Sequence, residues 1–193
     1  AELVKAKDED KAVVETSVVD NGDGTYRLEW RSKFSGTFTT RVTVDGDDVR
    51  GSPRTFTLTS SNPEISKTLL EGGGLERAIA GDATDITCSF FDQFNNTASP
   101  SDAFRFFMGF DKGKAKVGEV EPASFEGSWK EVGKYTMRYV ATESGPCKLH
   151  VWCDPSGKDE RVALPGSPFA LVVGPGQAST STSQVAGWSK LQK

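Results

Sequence analysis

Histidine occurs once, methionine twice and cysteine three times in these 193 residues. So thin a supply of imidazole and thiol leaves little for nucleophilic or metal chemistry, which gathers such groups around one site. The lone histidine, His150, falls on the outer, solvated face of an alternating run, with no Ser or Cys nucleophile in its turn. Zinc needs paired ligands at close spacing; Cys147 and Cys153 lie six apart and have no second pair. Basic excess is missing too. Lys and Arg number 23 against 27 Asp and Glu, for a net charge of -4, which argues against non-specific nucleic-acid binding. No run of 18 apolar residues is present, so nothing in this fragment reads as a membrane span. No leader with a small-residue cleavage site opens the chain, and its start reads as internal to a larger protein.

Two loop signatures also fail. Gly72-Gly73-Gly74 lacks the following Lys-Ser/Thr of a phosphate loop. Asp20-Asn-Gly-Asp23-Gly24 has the wrong ligand spacing for calcium, with Trp30 where a bidentate Glu is required, and reads as a β-turn. Acidic runs such as Asp8-Glu9-Asp10 solvate turns. Asn95-Asn96-Thr97 is a glycosylation acceptor in form, which matters only for a secreted protein.

Twenty glycines and nine prolines are present, and short alternating runs fill the gaps between them. Tyr26, Leu28 and Trp30 alternate with Arg27, Glu29 and Arg31, the period of a half-buried strand. Ile86, Cys88 and Phe90 repeat the pattern, as do Cys147, Leu149, Val151 and Cys153 against Lys148, His150 and Trp152. The inward cysteines read as small core hydrophobes; a bridge from Cys88 to Cys147 or Cys153 is the alternative and would leave one thiol over.

The runs also repeat at long range. Gly24-Thr-Tyr-Arg-Leu-Glu-Trp30 matches Gly133-Lys-Tyr-Thr-Met-Arg-Tyr139 at a spacing of 109 residues, and Ser35-Gly36 falls on Ser144-Gly145 at the same spacing. Gly51-Ser-Pro53 returns as Gly166-Ser-Pro168 after 115, so the second copy carries six extra residues before its last strand. Proline has no amide to give a ladder and suits a strand's first position, while the glycine lets the chain turn into it. The motif therefore punctuates the fold. Two copies in one register predict an all-β protein of tandem antiparallel sandwiches, with Tyr26 and Tyr135 in like surroundings.

Asp20-Asn-Gly-Asp-Gly-Thr-Tyr26, Ser35-Gly-Thr-Phe38 and Gly51-Ser-Pro53, in that order, resemble the closing half of a filamin-type immunoglobulin-like repeat. Gly74-Leu75 through Ala80-Gly81, then Asp92 with Asn95-Asn96, are similar to the opening of the same module. The resemblance departs at Lys130-Glu-Val132, where an acidic turn stands in the first copy. It implies three segments: residues 1–59 as the later part of one repeat without its first strands, 60–176 as a complete repeat, and 177–193 as a linker with the first strand of a third.

The resemblance also implies a partner surface. Peptides dock on such repeats as an added strand beside the third and fourth strands. Here that edge falls at residues 102–110, with Phe104, Phe106 and Met108 inward and Arg105, Phe107 and Gly109 outward. A facing strand at 114–120 brings Lys114 and Lys116, which favour acidic ligands. Phe107 reads equally as packed beneath a neighbouring repeat or the six-residue insertion. No constellation of acid, base and nucleophile survives the assignment of faces, and no cofactor is implied. The resulting expectation is a non-enzymatic scaffold segment of a cytoskeletal protein in the cytoplasm, bound to other proteins and through other parts of the chain to filaments. The alternatives are an adhesion ectodomain at the cell surface and a repeat array on the microtubules of a cilium. Free thiols favour the first.

Overall fold

The computed structural model describes residues 2–5, 14–112 and 120–178 of the chain. The first copy holds β1 (Glu2–Lys5), β2 (Val14–Asp20), β3 (Tyr26–Ser32), β4 (Gly36–Arg41), β5 (Thr43–Val44), β6 (Asp47–Asp48) and β7 (Arg54–Leu58). The second holds β8 (Leu69–Glu71), β9 (Arg77–Ile79), β10 (Ala83–Ser89), β11 (Arg105–Asp111), β12 (Phe125–Glu131), β13 (Lys134–Val140), β14 (Gly145–Asp154), β15 (Val162–Ala163) and β16 (Phe169–Gly174). The described residues contain no α-helix, only two single 3-10 turns at Ile65–Lys67 and Gly73–Leu75. The architecture is all-β, in tandem immunoglobulin-like sandwiches.

In the first copy β1, β4 and β7 form one sheet, β2 and β3 a hairpin, and β5 and β6 a second, shorter hairpin. In the second copy one sheet runs β12-β13-β10-β8 and the other β11-β14-β16-β9, with β15 beside β14. By their contacts the residues form two compact units. One is Ala1–Leu69 with Ser89–Asp102 and Glu131–Gly133; the other is Leu70–Cys88 with Ala103–Lys130 and Lys134–Lys193. The turn following β10 therefore belongs to the unit that holds the first copy.

The internal repeat is visible in the pairings. Gly36 lies opposite Leu58, and Gly145 opposite Val173, which are the positions that the two sequence spacings equate. The Gly-Ser-Pro motifs match in backbone conformation and hydrogen bonding. Both Ser-Pro bonds are cis, and Gly51 and Gly166 take φ of 89° and 86°. Such values are open to glycine without a Cβ penalty. The Ser52 hydroxyl accepts from the Val42 amide at 2.8 Å, and the Ser167 hydroxyl from the Val151 amide at 2.9 Å. Each serine amide in turn donates to a carbonyl three residues back, Val49 and Leu164. The serine thus does what the sequence pattern had left to the glycine and proline: it ties each last strand's entry to the strand before.

Alternation builds the cores. In the second unit Ile86 and Cys88 on β10, Met108 on β11, Met137 and Tyr139 on β13, and Leu149 and Val151 on β14 are buried. A side chain of this size contributes about 1.5–3 kcal/mol when fully buried. The Tyr139 hydroxyl donates to the Gly74 carbonyl, which anchors the Gly-Leu opening of the module to β13. In the first unit Phe38 is fully buried and stacks on Phe56, which meets Trp30 at 5.5 Å.

One inward expectation fails. Tyr26 is 64% exposed, whereas Tyr135 stacks on Phe106 at 4.3 Å with the rings 9° apart. The two tyrosines hold matched strand positions but not like surroundings. β1 pairs Glu2 with Arg41 and β11 pairs Gly109 with His150, so Glu2 holds the place of Gly109, and among the described residues no ring stacks on Tyr26.

Candidate functional site

The expected partner edge lies on β11, and the structure places its residues unequally. Arg105 is exposed at the start of the strand, opposite Asp154. Phe107 faces outward but is half-buried: it lies opposite Trp152, with ring centroids 6.3 Å apart and planes 13° from parallel. The Arg161 guanidinium sits over both rings, 5.0 Å from Phe107 and 5.6 Å from Trp152. A cation over an aromatic face is held there by the ring's quadrupole. Arg161 comes from the segment that carries the six extra residues, so the insertion covers the face that the second copy would otherwise leave bare.

Gly109 is buried. A Cβ there would come within 2.6 Å of Val120 Cγ1 and 2.7 Å of the Glu121 carbonyl. The chain after the undescribed stretch thus presses against β11 at this point, and the Ala123 amide donates to the Met108 carbonyl. Lys114 and Lys116, with the strand expected at 114–120, lie outside the described residues. The next described strand is β12, an edge strand of its sheet, along which Trp129 is exposed.

His150 is not a solvated surface residue. Only 2% of it is exposed, and its Nε2 lies 3.3 Å from Asp111 Oδ2. Its side chain does point to the outer face, as its parity requires, but that face of β14 is covered. Trp152 and Asp154 are buried beside it for the same reason. Alternation reports direction, and it is silent about a cover supplied by distant turns.

The insertion is organised by Asp154. Its carboxylate accepts from the amides of Ser156, Gly157 and Asp159 at 3.0, 2.8 and 2.7 Å. Burial alone would raise its pKa, but these bonds favour the charged form and hold it below the ordinary carboxylate value. In the first copy the same place is a two-residue turn, Asp45-Gly46, with φ of 52° and 94°. Positive φ at both central residues is the turn that matches the twist of a tight hairpin.

A second carboxylate builds a more elaborate centre in the other unit. Asp92, 1% exposed, takes the Phe94 and Asn96 amides on Oδ1, both at 2.9 Å, and the Ser61 amide on Oδ2 at 3.1 Å. The Asn96 side-chain amide donates to both carboxylate oxygens and to the Lys33 carbonyl at 2.8 Å, while its oxygen accepts from the Ser35 amide at 3.0 Å. Burial pushes the Asp92 carboxyl up, yet the Asn96 side chain and the amides of Asn96, Ser61 and Phe94 outweigh it and set the pKa at about 2. The arrangement clasps three stretches of chain: the corner between β3 and β4, the connecting segment at Ser61, and the turn itself. The sequence marked Asp92 and Asn96 as a turn. The corner that Asn96 reaches, 63 residues back at Lys33, had no local signal.

Comparison with known proteins agrees with the architecture. The Filamin/ABP280 repeat family model matches residues 2–55. Among solved structures the chain is similar to the adhesin FdeC of Escherichia coli, with 19% identity and a TM-score of 0.61 over 92% of this chain and 52% of that one. It is likewise similar to the bacterial integrin-binding protein invasin, with 16% identity and a TM-score of 0.59 over 86% of this chain and 33% of that one. The chain thus spans about half of the first protein and a third of the second, and at these identities the likeness is one of fold. The Lin-41 filamin domain matches over 97% of its own length and 58% of this chain, with 17% identity and a TM-score of 0.44. No helix among the described residues is long and apolar enough to cross a membrane.

Proposed function

We propose that this chain, in which residues 2–55 match the Filamin/ABP280 repeat model, is a non-enzymatic structural segment of a tandem array: a spacer that also presents a sheet edge to partner proteins. The clasp at Asp92 and Asn96 carries the spacer reading. A buried carboxylate that binds the connecting segment and a neighbouring corner at once spends its hydrogen bonds on holding chain segments in register, where an enzyme would aim such a group into a cleft. Limited proteolysis tests this. The connecting segment 59–63 should resist cleavage in the native chain and become the first site cut in Asn96→Ala. Equal, rapid cleavage there in both proteins would remove the support for a held spacer.

The proposed partner edge is the start of β11, at Arg105 and Phe107, with Lys114 and Lys116 supplying positive charge for an acidic strand; Gly109, expected to face a partner, is instead covered by residues 120 and 121. Alternating side chains with backbone pairing are what such an edge offers. An acidic ten-residue peptide of alternating valine and glutamate should shift the amide resonances of Arg105–Asp111, and Lys114→Glu with Lys116→Glu should abolish the shifts. Shifts confined to other strands would sink the edge assignment. Partners in the cytoplasm, along cytoskeletal filaments reached through other parts of the chain, fit the three free cysteines. A cell-surface role has its own support in Asn95, exposed at a turn within a glycosylation triplet. A glycan found there on the protein from its native cell would decide for the surface.

A further inference from the structure

We infer that the corner Thr142–Glu143–Ser144 is a docking socket for the Asp-x-x-x-Asn turn of another filamin-type repeat, an assignment that rests on the tandem-array reading above. The precedent lies within the chain. The corner that Asn96 occupies, Lys33–Phe34–Ser35, is followed by Gly36 at φ 130°, opposite Leu58; the corner at 142–144 is followed by Gly145 at φ 122°, opposite Val173. The two corners share spacing and pairing, and the glycine after each takes a like φ. Their occupancy differs.

At the first corner the Ser35 amide and Lys33 carbonyl are both bound by the Asn96 side chain, and Ser35 is half-buried. At the second, Ser144 is exposed, and among the described residues neither its amide nor the Thr142 carbonyl has a partner. Beside it lies a cavity of about 220 Å³, lined among others by Phe110, Pro146, Cys147 and Val173. A primary amide suits the socket because it gives one hydrogen bond and accepts one across a single turn. Asparagine does so with two rotatable bonds, whereas a carboxylate would have no hydrogen for the Thr142 carbonyl. The occupant is therefore a turn in which an aspartate fixes an asparagine, as Asp92 fixes Asn96.

The test supplies that turn from the chain itself. Residues 59–178 are appended directly after Val173, which keeps the native distance from the last strand, Leu58 to Asn96, and lengthens the distance from the corner only by the six residues that the second copy carries in its hairpin. Exchange of backbone amide hydrogens is then followed at Ser35 and Ser144. The inference expects Ser144 to exchange at least about tenfold more slowly than in the unextended chain, and Asn96→Ala in the appended copy alone to restore the fast rate. Slow exchange at Leu149 and at its appended counterpart checks that both copies remain folded. Should Ser144 stay fast while Ser35 stays protected, the socket assignment fails and the array reading stands. Should Ser35 also be unprotected in the unextended chain, the clasp itself is absent and both readings fall.

Discussion

Asp92 and Asn96 secure one another: the asparagine side-chain nitrogen lies 3.1 Å from one carboxylate oxygen and 2.9 Å from the other. Removing the carboxylate should leave the Asn96 amide and the Ser61 and Phe94 N–H groups short of acceptors in a buried place. Asp92→Ala is expected to cost about 2–4 kcal/mol, since unpaired buried donors each lose about 1–3. Urea denaturation followed by tryptophan fluorescence measures it. A change below half a kilocalorie would mean water replaces the carboxylate freely.

The same group sets an acid limit. Its folded pKa of about 2 lies below the ordinary 3.8, so its contribution is present above pH 4 and is lost as pH falls towards 2. Melting temperature should therefore decline over that window more steeply in the native chain than in Asp92→Ala. Parallel profiles would show that other carboxylates govern acid unfolding.

Ser52→Ala and Ser167→Ala should behave as twins. Each strips an amide, Val42 or Val151, of its acceptor, at about 1–2 kcal/mol apiece. Because the sites serve separate strands, the double variant should show the sum within about half a kilocalorie. If only one substitution destabilises, the two motifs are not equivalent in energy despite their shared geometry.

Gly109→Ala should destabilise by about 1–3 kcal/mol, the usual effect of an extra methyl in a filled space. The Val120 side chain can yield, but the Glu121 carbonyl, 2.7 Å from the new Cβ, is backbone. An unchanged urea midpoint would show that residues 120 and 121 do not bear on β11.

The three thiols should react in a set order with an aromatic disulfide reagent. Burial raises the pKa of Cys88, with Cys153 adding to the effect, and pushes Cys153 up to about 12. Both should be silent until the protein unfolds, while half-buried Cys147 reacts first. Prompt labelling of Cys88 in the native protein would contradict its place in the core.

The sandwich was legible because its evidence is local. Period-two runs around Ile86 and Cys147, and a motif repeated at two fixed spacings, need only neighbouring residues to be read. Tyr26 and His150 were misread for the opposite reason. Whether a side chain that points the right way is covered depends on what crosses it: Phe106 lies over Tyr135 while no described ring lies over Tyr26, and residues 120 and 121 come up against the face that His150 shares with Trp152. Asn96 was recognised as part of a turn, yet its reach to Lys33 is a property of two segments that share no pattern.

The hairpin preceding the last strand is where the copies part company. One closes with Asp45-Gly46 and the other with a loop wound on the Asp154 carboxylate that drops Arg161 across two rings. Since the Gly-Ser-Pro entry to the last strand is common to both, a molecule that gripped only that shared framework would be unable to tell one copy from the other. What distinguishes the copies is carried by such surface turns, where length can vary without disturbing the ladder beneath.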